Sequence, residues 1–129
     1  MTEKKVKRTT IATGFGGNYQ DDSEALSLDK LVNQVPSATF YMRVNGNNEG
    51  AQLCHGDIAV VDRSLDPPPN AIVVAIIDSE LVIRRYHLNG QKIELYRDSN
   101  APSEILNKED FEIWGVVTFS LKSHQANNV

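Results

Sequence analysis

Apolar and β-branched residues recur along most of the chain in short runs with the composition of β-strands. These runs occupy residues 38–44, 58–62, 71–77, 81–88, 92–96 and 111–121. Turn-forming residues separate them, and Asn89-Gly90 between two such runs is a strong hairpin signal. Many short strands of this kind predict a mostly-β domain with strongly bent sheets.

One segment has helical periodicity instead. Apolar residues at positions 28, 31, 32 and 35 fall on one helical face, and Ser27 precedes them as a candidate N-cap. Pro36 disfavours helical backbone at the residue before it. We therefore predict one short helix that begins near Leu28 and ends before Pro36.

The two ends of the chain differ in composition from the rest. Residues 1–23 contain glycines, two aspartates and a basic cluster, which comprises Lys4, Lys5, Lys7 and Arg8. We predict a flexible N-terminal arm at residues 1–23, a β domain at 24–122 and a flexible C-terminal tail at 123–129. The basic cluster is interpreted as a solvated end, and contact with an acidic partner or nucleic acid is the alternative.

Charge and cysteine content narrow the class of protein. A formal net charge of −4 over 129 residues argues against direct, specific DNA binding, which depends on clustered Lys and Arg. The single cysteine, Cys54, cannot form an internal disulfide, and the first residues lack the apolar core of a secretory signal. No apolar run is long enough to span a membrane. We therefore expect a cytoplasmic protein without a membrane segment.

Seven blocks of residues follow one another in the order and spacing of the UmuD family. They are Val35-Pro36-Ser37-Ala38-Thr39-Phe40-Tyr41, Val44-Asn45-Gly46, His55-Gly56-Asp57-Ile58-Ala59-Val60-Val61-Asp62, Ala71-Ile72-Val73-Val74-Ala75, Asp78-Ser79-Glu80-Leu81-Val82-Ile83-Arg84-Arg85, Asp98-Ser99-Asn100-Ala101-Pro102 and Phe111-Glu112-Ile113-Trp114-Gly115-Val116-Val117. Over roughly residues 14–122 the chain thus resembles the UmuD branch of the LexA/UmuD self-cleaving serine peptidases. The resemblance implies the peptidase fold of that family, with strongly bent sheets, one short helix and a flexible N-terminal arm.

The two residues that would catalyse self-cleavage are replaced. In the family, a loop of Gly-Asp-Ser-Met type presents the nucleophilic serine, and a lysine after an Asp-Gly-Glu-type turn acts as the base. Asn48 stands at the serine position, in the loop Gly46-Asn47-Asn48-Glu49-Gly50, and Arg84 stands at the lysine position. A carboxamide is not a nucleophile, and arginine stays protonated at ordinary pH. The resemblance therefore implies a non-catalytic pseudo-peptidase.

A shift of alignment does not restore the catalytic pair. The chain has no serine between Ser37 and Ser64, and no lysine between Lys30 and Lys92. Because the family fold brings the two positions together, we expect Arg84 to donate a hydrogen bond to the amide oxygen of Asn48. The pair is then either a structural relic or part of a groove that binds an extended segment without cutting it.

Other catalytic or metal sites have weak support. Cys54 and His55 are adjacent, but neighbours in a strand point to opposite faces, so a Cys-His enzyme is disfavoured. We interpret Cys54 as a small apolar core residue and His55 as capping a turn or facing water. His87 and His124 lack the spacing of a metal site, so neither a metal nor a cofactor is expected. Three further carboxylates are interpreted as turn and surface groups: Glu49, Asp57 and Asp62.

The arm carries a counterpart of the family's cleavage point. UmuD-like proteins are cut there at a Cys-Gly or Ala-Gly bond, and the bond at the corresponding place is Thr13-Gly14. We expect this bond to remain intact or to be cut by an active relative acting between molecules. An arm without a processing role is the alternative.

The last predicted strand is apolar on both faces, with Phe111, Ile113, Val117 and Phe119 expected on one face and Trp114, Val116 and Thr118 on the other. Such a strand is either central in a sheet or paired across an interface, and the sequence leaves both open. The dimer-interface candidates are Phe111, Ile113, Trp114, Val117 and Phe119.

Two functional hypotheses follow from the resemblance. The first is an inactive UmuD-like accessory protein of the SOS response to DNA damage, which forms a homodimer and binds a translesion polymerase or the RecA filament. The second is an inactive relative that pairs with an active UmuD- or LexA-type protein and regulates its self-cleavage. A peptidase with an unrecognised mechanism is a third alternative.

Overall fold

The computed structural model describes residues 7–10, 20–25, 27–97, 104–106 and 110–125. The chain divides into two compact units, Met1–Gln34 and Val35–Val129. The Thr13-Gly14 bond and the block 98–102 lie outside the described residues, as does most of the predicted C-terminal tail. No helix within the described residues is long and apolar enough to cross a lipid bilayer.

The described residues of the first unit form two strands and a helix. Strand β1 (Lys7–Thr10) pairs antiparallel with β2 (Gln20–Ala25), and both strands fall largely within the region predicted to be a flexible arm. Helix α1 (Leu28–Val32) follows, and the side chain of Ser27 accepts a hydrogen bond from the backbone N–H of Lys30 at 3.4 Å. The predicted helix and its N-cap are therefore confirmed.

The second unit is built on one antiparallel sheet of seven strands in the order β3-β4-β9-β5-β6-β7-β8. A short 3₁₀ turn, Pro36–Ala38, precedes it. The strands are β3 (Thr39–Arg43), β4 (Ile58–Asp62), β5 (Ile72–Ile77), β6 (Glu80–Asn89), β7 (Lys92–Tyr96), β8 (Glu104–Leu106) and β9 (Phe111–Leu121). The mostly-β prediction is confirmed. All six predicted strands are present, and β8 is a seventh that the sequence pattern did not indicate.

Tight turns join the long strands as their sequence requires. Asp78 and Ser79 link β5 to β6 with φ of 51° and 65°, and both central residues of a type I′ hairpin turn need such positive values. The hairpin predicted around Asn89-Gly90 joins β6 to β7, with Gly90 at φ 64°. The predicted hairpin turn is therefore confirmed, although Asn89 itself still pairs within β6.

Buried apolar side chains form two clusters. One contains Val44, Ala51, Leu53, Ala59, Val61 and Val74. The other contains Val73, Ala75, Leu95 and Val116. Neighbouring residues Val73 and Val74 of β5 enter different clusters because successive side chains of a strand point to opposite faces. Strand β5 is thus buried on both sides, as a continuous aliphatic run predicts.

Strand β9 lies in the middle of the sheet, between β4 and β5. Val74 pairs with Gly115 and Ala75 with Ile113, so Trp114 is an extra residue in β9. Such a bulge shifts the alternation of side chains beyond it to the other face.

A second irregularity occurs further along β9. Val60 pairs with Phe119 and Val61 with Val117, which leaves Thr118 as the extra residue opposite β4. The pairing between β4 and β9 therefore changes register near the end of the strand.

The bulges correct the predicted faces of β9. Phe111 and Ile113 pack in the cluster that contains Val116, whereas Trp114 and Val117 pack against the other cluster. Strict alternation had placed Val117 with Phe111 and Ile113 and had placed Val116 on the face of Trp114, and the extra residue at Trp114 reverses both assignments.

Gly115 permits a close approach of β9 to β4. A Cβ atom at Gly115 would lie 2.5 Å from Cγ1 of Val61, a side chain that is completely buried. A methyl group at this position therefore requires movement of a core residue.

We expect Gly115→Ala to lower the free energy of unfolding by about 1–3 kcal/mol, because the added methyl overpacks the core against Val61. Urea denaturation followed by circular dichroism measures the change. The variant Val61→Ala removes the opposing methyl, so the double variant should lose less stability than the sum of the two single changes. Simple additivity would contradict the proposed contact.

Candidate functional site

The connection between β3 and β4 folds into a small, tightly bonded loop. Asn48 and Leu53 exchange two backbone hydrogen bonds, with N···O distances of 2.8 and 3.0 Å. Gly46 and Gly56 have φ of 83° and 91°, and Gln52 also has a positive φ of 58°. The two glycines lie on either side of the bonded segment, in a backbone conformation that residues with a Cβ adopt rarely.

The Asn48 side chain is a buried brace between this loop and strand β6. It is 8% exposed. Its Nδ2 donates to the carbonyl oxygen of Ile83 at 2.8 Å, and its Oδ1 accepts from the backbone N–H of Ala51 at 3.0 Å. The donor bond joins two distant parts of the chain, and the acceptor bond holds the loop's own turn. Both ends of the carboxamide are thus engaged.

Arg84 meets Asn48 through a shared acceptor. The Nη1 of Arg84 donates to the same Ile83 carbonyl at 2.9 Å. The amide oxygen of Asn48 bonds to Ala51, which differs from the predicted Arg84 donor. The fold therefore brings the two positions together as expected, but their hydrogen bonds converge on a backbone carbonyl.

Arg85 fixes the loop from its other end, and the sequence interpretation did not anticipate this role. Its Nε and Nη2 donate to the carbonyl of Gly50 at 3.1 and 2.9 Å, and its Nη1 donates to the carbonyl of Asn70 at 2.8 Å. A strand directs consecutive side chains to opposite faces, so alternation gave no reason to expect Arg84 and Arg85 both beside the loop that contains Asn48. The contact joins Arg85 to a residue 35 positions away, so no local sequence pattern indicates it.

Asn48 and Arg84 line a groove of about 390 Å³, hereafter the Asn48–Arg84 groove. Its described walls come from β3, the following loop, β4, β5, the first half of β6 and the residue after β7. The lining residues are Met42, Arg43, Val44, Asn45, Gly46, Asn47, Asn48, Ala59, Val74, Leu81, Val82, Ile83, Arg84 and Arg97.

Cys54 and His55 stand apart from this groove and do not line it. Nδ1 of His55 accepts a hydrogen bond from the backbone N–H of Gly46 at 2.8 Å, so the prediction that His55 caps a turn is confirmed. Cys54 is exposed, and its interpretation as a core residue is wrong. It lies in the turn ahead of β4, where its backbone N–H donates to Asp57, and its side chain, followed by Asp57, holds the pKa of Lys122 above its ordinary value.

Asp57 is a buried turn residue. Its Oδ2 accepts from the backbone N–H of Cys54 at 2.9 Å, and its Oδ1 accepts from Nζ of Lys122 at 3.2 Å. The Cys54 bond, followed by the Lys122 contacts, holds the pKa of Asp57 below its ordinary value. The predicted turn role is confirmed, but Asp57 and also Asp62 are buried at 4% and 7% exposure, so the predicted surface location is wrong for both.

Asp62 uses its carboxylate locally. Its Oδ1 accepts from the backbone N–H and the hydroxyl of Ser64 at 2.7 and 2.6 Å. Among the described residues, no three side chains of the metal-binding types cluster together. The chemistry that the site offers consists of arginine and amide donors beside apolar groups.

The sequence matches a known protein family and is similar to several of its members. Residues 6–118 match the family described as Peptidase S24-like. Protein MucA of Salmonella typhimurium is 36% identical over 118 residues, which cover 88% of this chain and 81% of that protein. Protein ImpA of Escherichia coli is 36% identical over 110 residues, covering 81% and 74%. The LexA repressor of Proteus mirabilis is 32% identical over 85 residues, covering 63% and 42%.

We expect Asn48→Ala to lower the free energy of unfolding by about 1–3 kcal/mol, because it leaves the partly buried groups of Ile83 and Ala51 without this partner. Asn45→Ala is the matched control, since Asn45 is an exposed amide in the same loop. Urea denaturation of both variants measures the difference. Equal stability of the two variants would show that the Asn48 brace contributes nothing.

Proposed function

The chain belongs to the Peptidase S24-like family, and from that premise we propose that it is a non-catalytic, UmuD-like accessory protein of the SOS response to DNA damage. In this role it binds other proteins and does not cut itself. The proposal rests chiefly on the groups present at the two positions where the family resemblance puts the nucleophile and the base.

The hydrogen bonds of Asn48 support a structural role at the nucleophile position. Its carboxamide is committed to Ile83 and Ala51, and an amide nitrogen has no nucleophilic power comparable to an activated hydroxyl. Arg84 supplies a permanent positive charge, since a guanidinium keeps its proton at any ordinary pH. Neither half of a serine–lysine mechanism is therefore available from these two side chains.

The position of Cys54, the other candidate nucleophile, also supports the proposal. Acyl transfer needs a nucleophile and a base within hydrogen-bond reach at a site that can hold the substrate. Cys54 and His55 are outside the Asn48–Arg84 groove, and Nδ1 of His55 is occupied by Gly46.

The purified protein is expected to keep its Thr13-Gly14 bond intact at alkaline pH, with and without RecA filament, because Asn48 and Arg84 cannot complete acyl transfer. Intact-mass spectrometry over a day of incubation measures this. The variant carrying Asn48→Ser and Arg84→Lys supplies the two missing groups and is the comparison. A cut at Thr13-Gly14 in the unaltered protein would overturn the non-catalytic assignment.

We also propose a homodimer, and the end of β9 offers the surface for it. Strand β5 pairs with β9 only as far as Ile72 and Val117, whereas β4 continues to Ile58 and Leu121. Residues 118–121 are consequently paired on one side only among the described strands. A free strand edge is a template for pairing with another chain, and a second copy can meet it about a two-fold axis.

Exposed apolar side chains lie next to this free edge. Phe119 is 36% exposed and Leu121 37%, and Tyr41 on β3, which lies on the far side of β4 from β9, is 53% exposed. The three share a sheet face, because Tyr41 and Phe119 both pair with Val60, and Leu121 follows two residues after Phe119. We call Tyr41, Phe119 and Leu121 the β9-end patch. Burial of such a patch favours association.

This surface narrows the earlier set of interface candidates. Phe111, Ile113, Trp114 and Val117 pack against the two buried clusters. They lie in the half of β9 that β5 covers. Phe119 is the candidate that remains exposed, so the proposed interface centres on it.

Phe119→Asp is expected to raise the dimer dissociation constant by at least about tenfold, because it puts a charge into an apolar contact. Sedimentation velocity over a concentration series measures this. The control is Leu88→Asp. Leu88 is also an exposed apolar residue, at 51%, but it lies on β6 away from the patch. Dissociation caused by the control and not by Phe119→Asp would rule out the β9-end patch.

The proposed partners of the dimer are a translesion polymerase or the RecA filament, as the UmuD resemblance implies. A second candidate function uses the same free edge of β9. In this function the chain pairs through that edge with an active UmuD- or LexA-type relative and regulates the relative's self-cleavage. Copurification of a heterodimer from cells that contain both proteins would favour this second function over the first.

A further inference from the structure

The Asn48–Arg84 groove has a charge opposite to that of the whole protein. Three arginines line it, Arg43, Arg84 and Arg97, and none of its described lining residues is Asp or Glu. The chain as a whole has a formal net charge of −4. The positive charge of the groove is therefore a local feature, and local fields of this kind attract ligands of the opposite sign.

The groove also offers an apolar surface between the arginines. Met42, Val82 and Ile83 are partly exposed in its lining and supply this surface, whereas Val44, Ala59 and Val74 are buried beneath it. Glu49 and Glu80 are close in sequence to lining residues but are exposed and outside the lining. A matching ligand therefore combines negative charge with small apolar groups.

We propose that the Asn48–Arg84 groove binds an extended peptide segment that carries carboxylate side chains and is contributed by a partner protein. Guanidinium groups bind carboxylates through paired N–H donors, and in an extended peptide alternate side chains point to opposite sides. The volume of about 390 Å³ suits a segment of a few residues. This inference rests on the non-catalytic function, since only an occupant that is not cut remains bound.

A peptide suits the groove better than a nucleic acid does. Proteins that hold single-stranded nucleic acids combine positive charge with aromatic side chains on which bases stack. The described lining of the groove includes no aromatic residue. Carboxylates on a flexible backbone need no stacking surface, so an acidic peptide is the occupant that this lining favours.

The test measures binding of a fluorescein-labelled decapeptide in which Glu alternates with Ala or Val, by fluorescence anisotropy on the full chain. A peptide with Gln in place of every Glu and a single-stranded decanucleotide are the competing probes. The double variant Arg43→Gln with Arg97→Gln should weaken binding of the acidic peptide about tenfold, through loss of two charge-assisted contacts. Lys92→Gln removes one exposed charge outside the groove and should leave binding within about twofold.

Arg43→Lys with Arg97→Lys keeps the charge but loses the planar fork, so it should bind more tightly than the Gln double variant and less tightly than the unaltered protein. Equal binding of the Glu and Gln peptides would overturn the inference. So would tighter binding of the nucleotide, unchanged binding by the Gln double variant, or no binding at millimolar peptide. Cleavage of the bound peptide, seen by mass spectrometry, would instead overturn the non-catalytic function and leave the acidic specificity in place.

Discussion

The pairing of β9 with both β4 and β5 is the constraint on which the rest of the second unit depends. Without it, β3 and β4 would be separate from the four strands β5, β6, β7 and β8, because no other described strand joins the two groups. It also brings the loop after β3 to the strand that follows β5. The bond between Asn48 and Ile83 therefore exists because a strand distant in sequence lies between their supporting strands.

Close contact between β9 and β4 depends on one small residue, Gly115, and on the extra residue at Trp114. Gly115 leaves room for the side chain of Val61, and the extra residue at Trp114 directs an indole toward the cluster of Val61. The ring of Trp114 then stacks edge-on with Phe40 at 5.2 Å, and Arg63 lies over it at 4.4 Å. The bulge thus places the Trp114 ring on the sheet face of Val61, in contact with Phe40 of the outer strand β3.

Local patterns in the sequence predict six of the seven described strands of the second unit, whereas the position of the site is predicted by the resemblance to the UmuD family. Period-two runs, turn residues and the Ser27 cap each act within a few residues. The faces of β9 depend on a bulge, and a single inserted residue leaves no mark in the hydrophobic pattern of an all-apolar strand. The contact of Arg85 with Gly50 likewise joins residues 35 apart in sequence, so no local rule could have indicated it.

The two proposed surfaces use opposite faces of the same strands except at Arg43, a groove residue that shares the face of Tyr41. Met42 and its partner Ala59 line the groove, whereas Tyr41 and its partner Val60 belong to the other face, on which Phe119 also lies. Neighbouring residues of a strand point to opposite sides, so a dimer formed through the β9-end patch leaves the Met42 and Ala59 side of the groove uncovered in each copy. A symmetric pair then presents two positively charged grooves to its partners. Two linked sites raise the effective concentration of a second segment once the first has bound, which suits a protein that binds without catalysis.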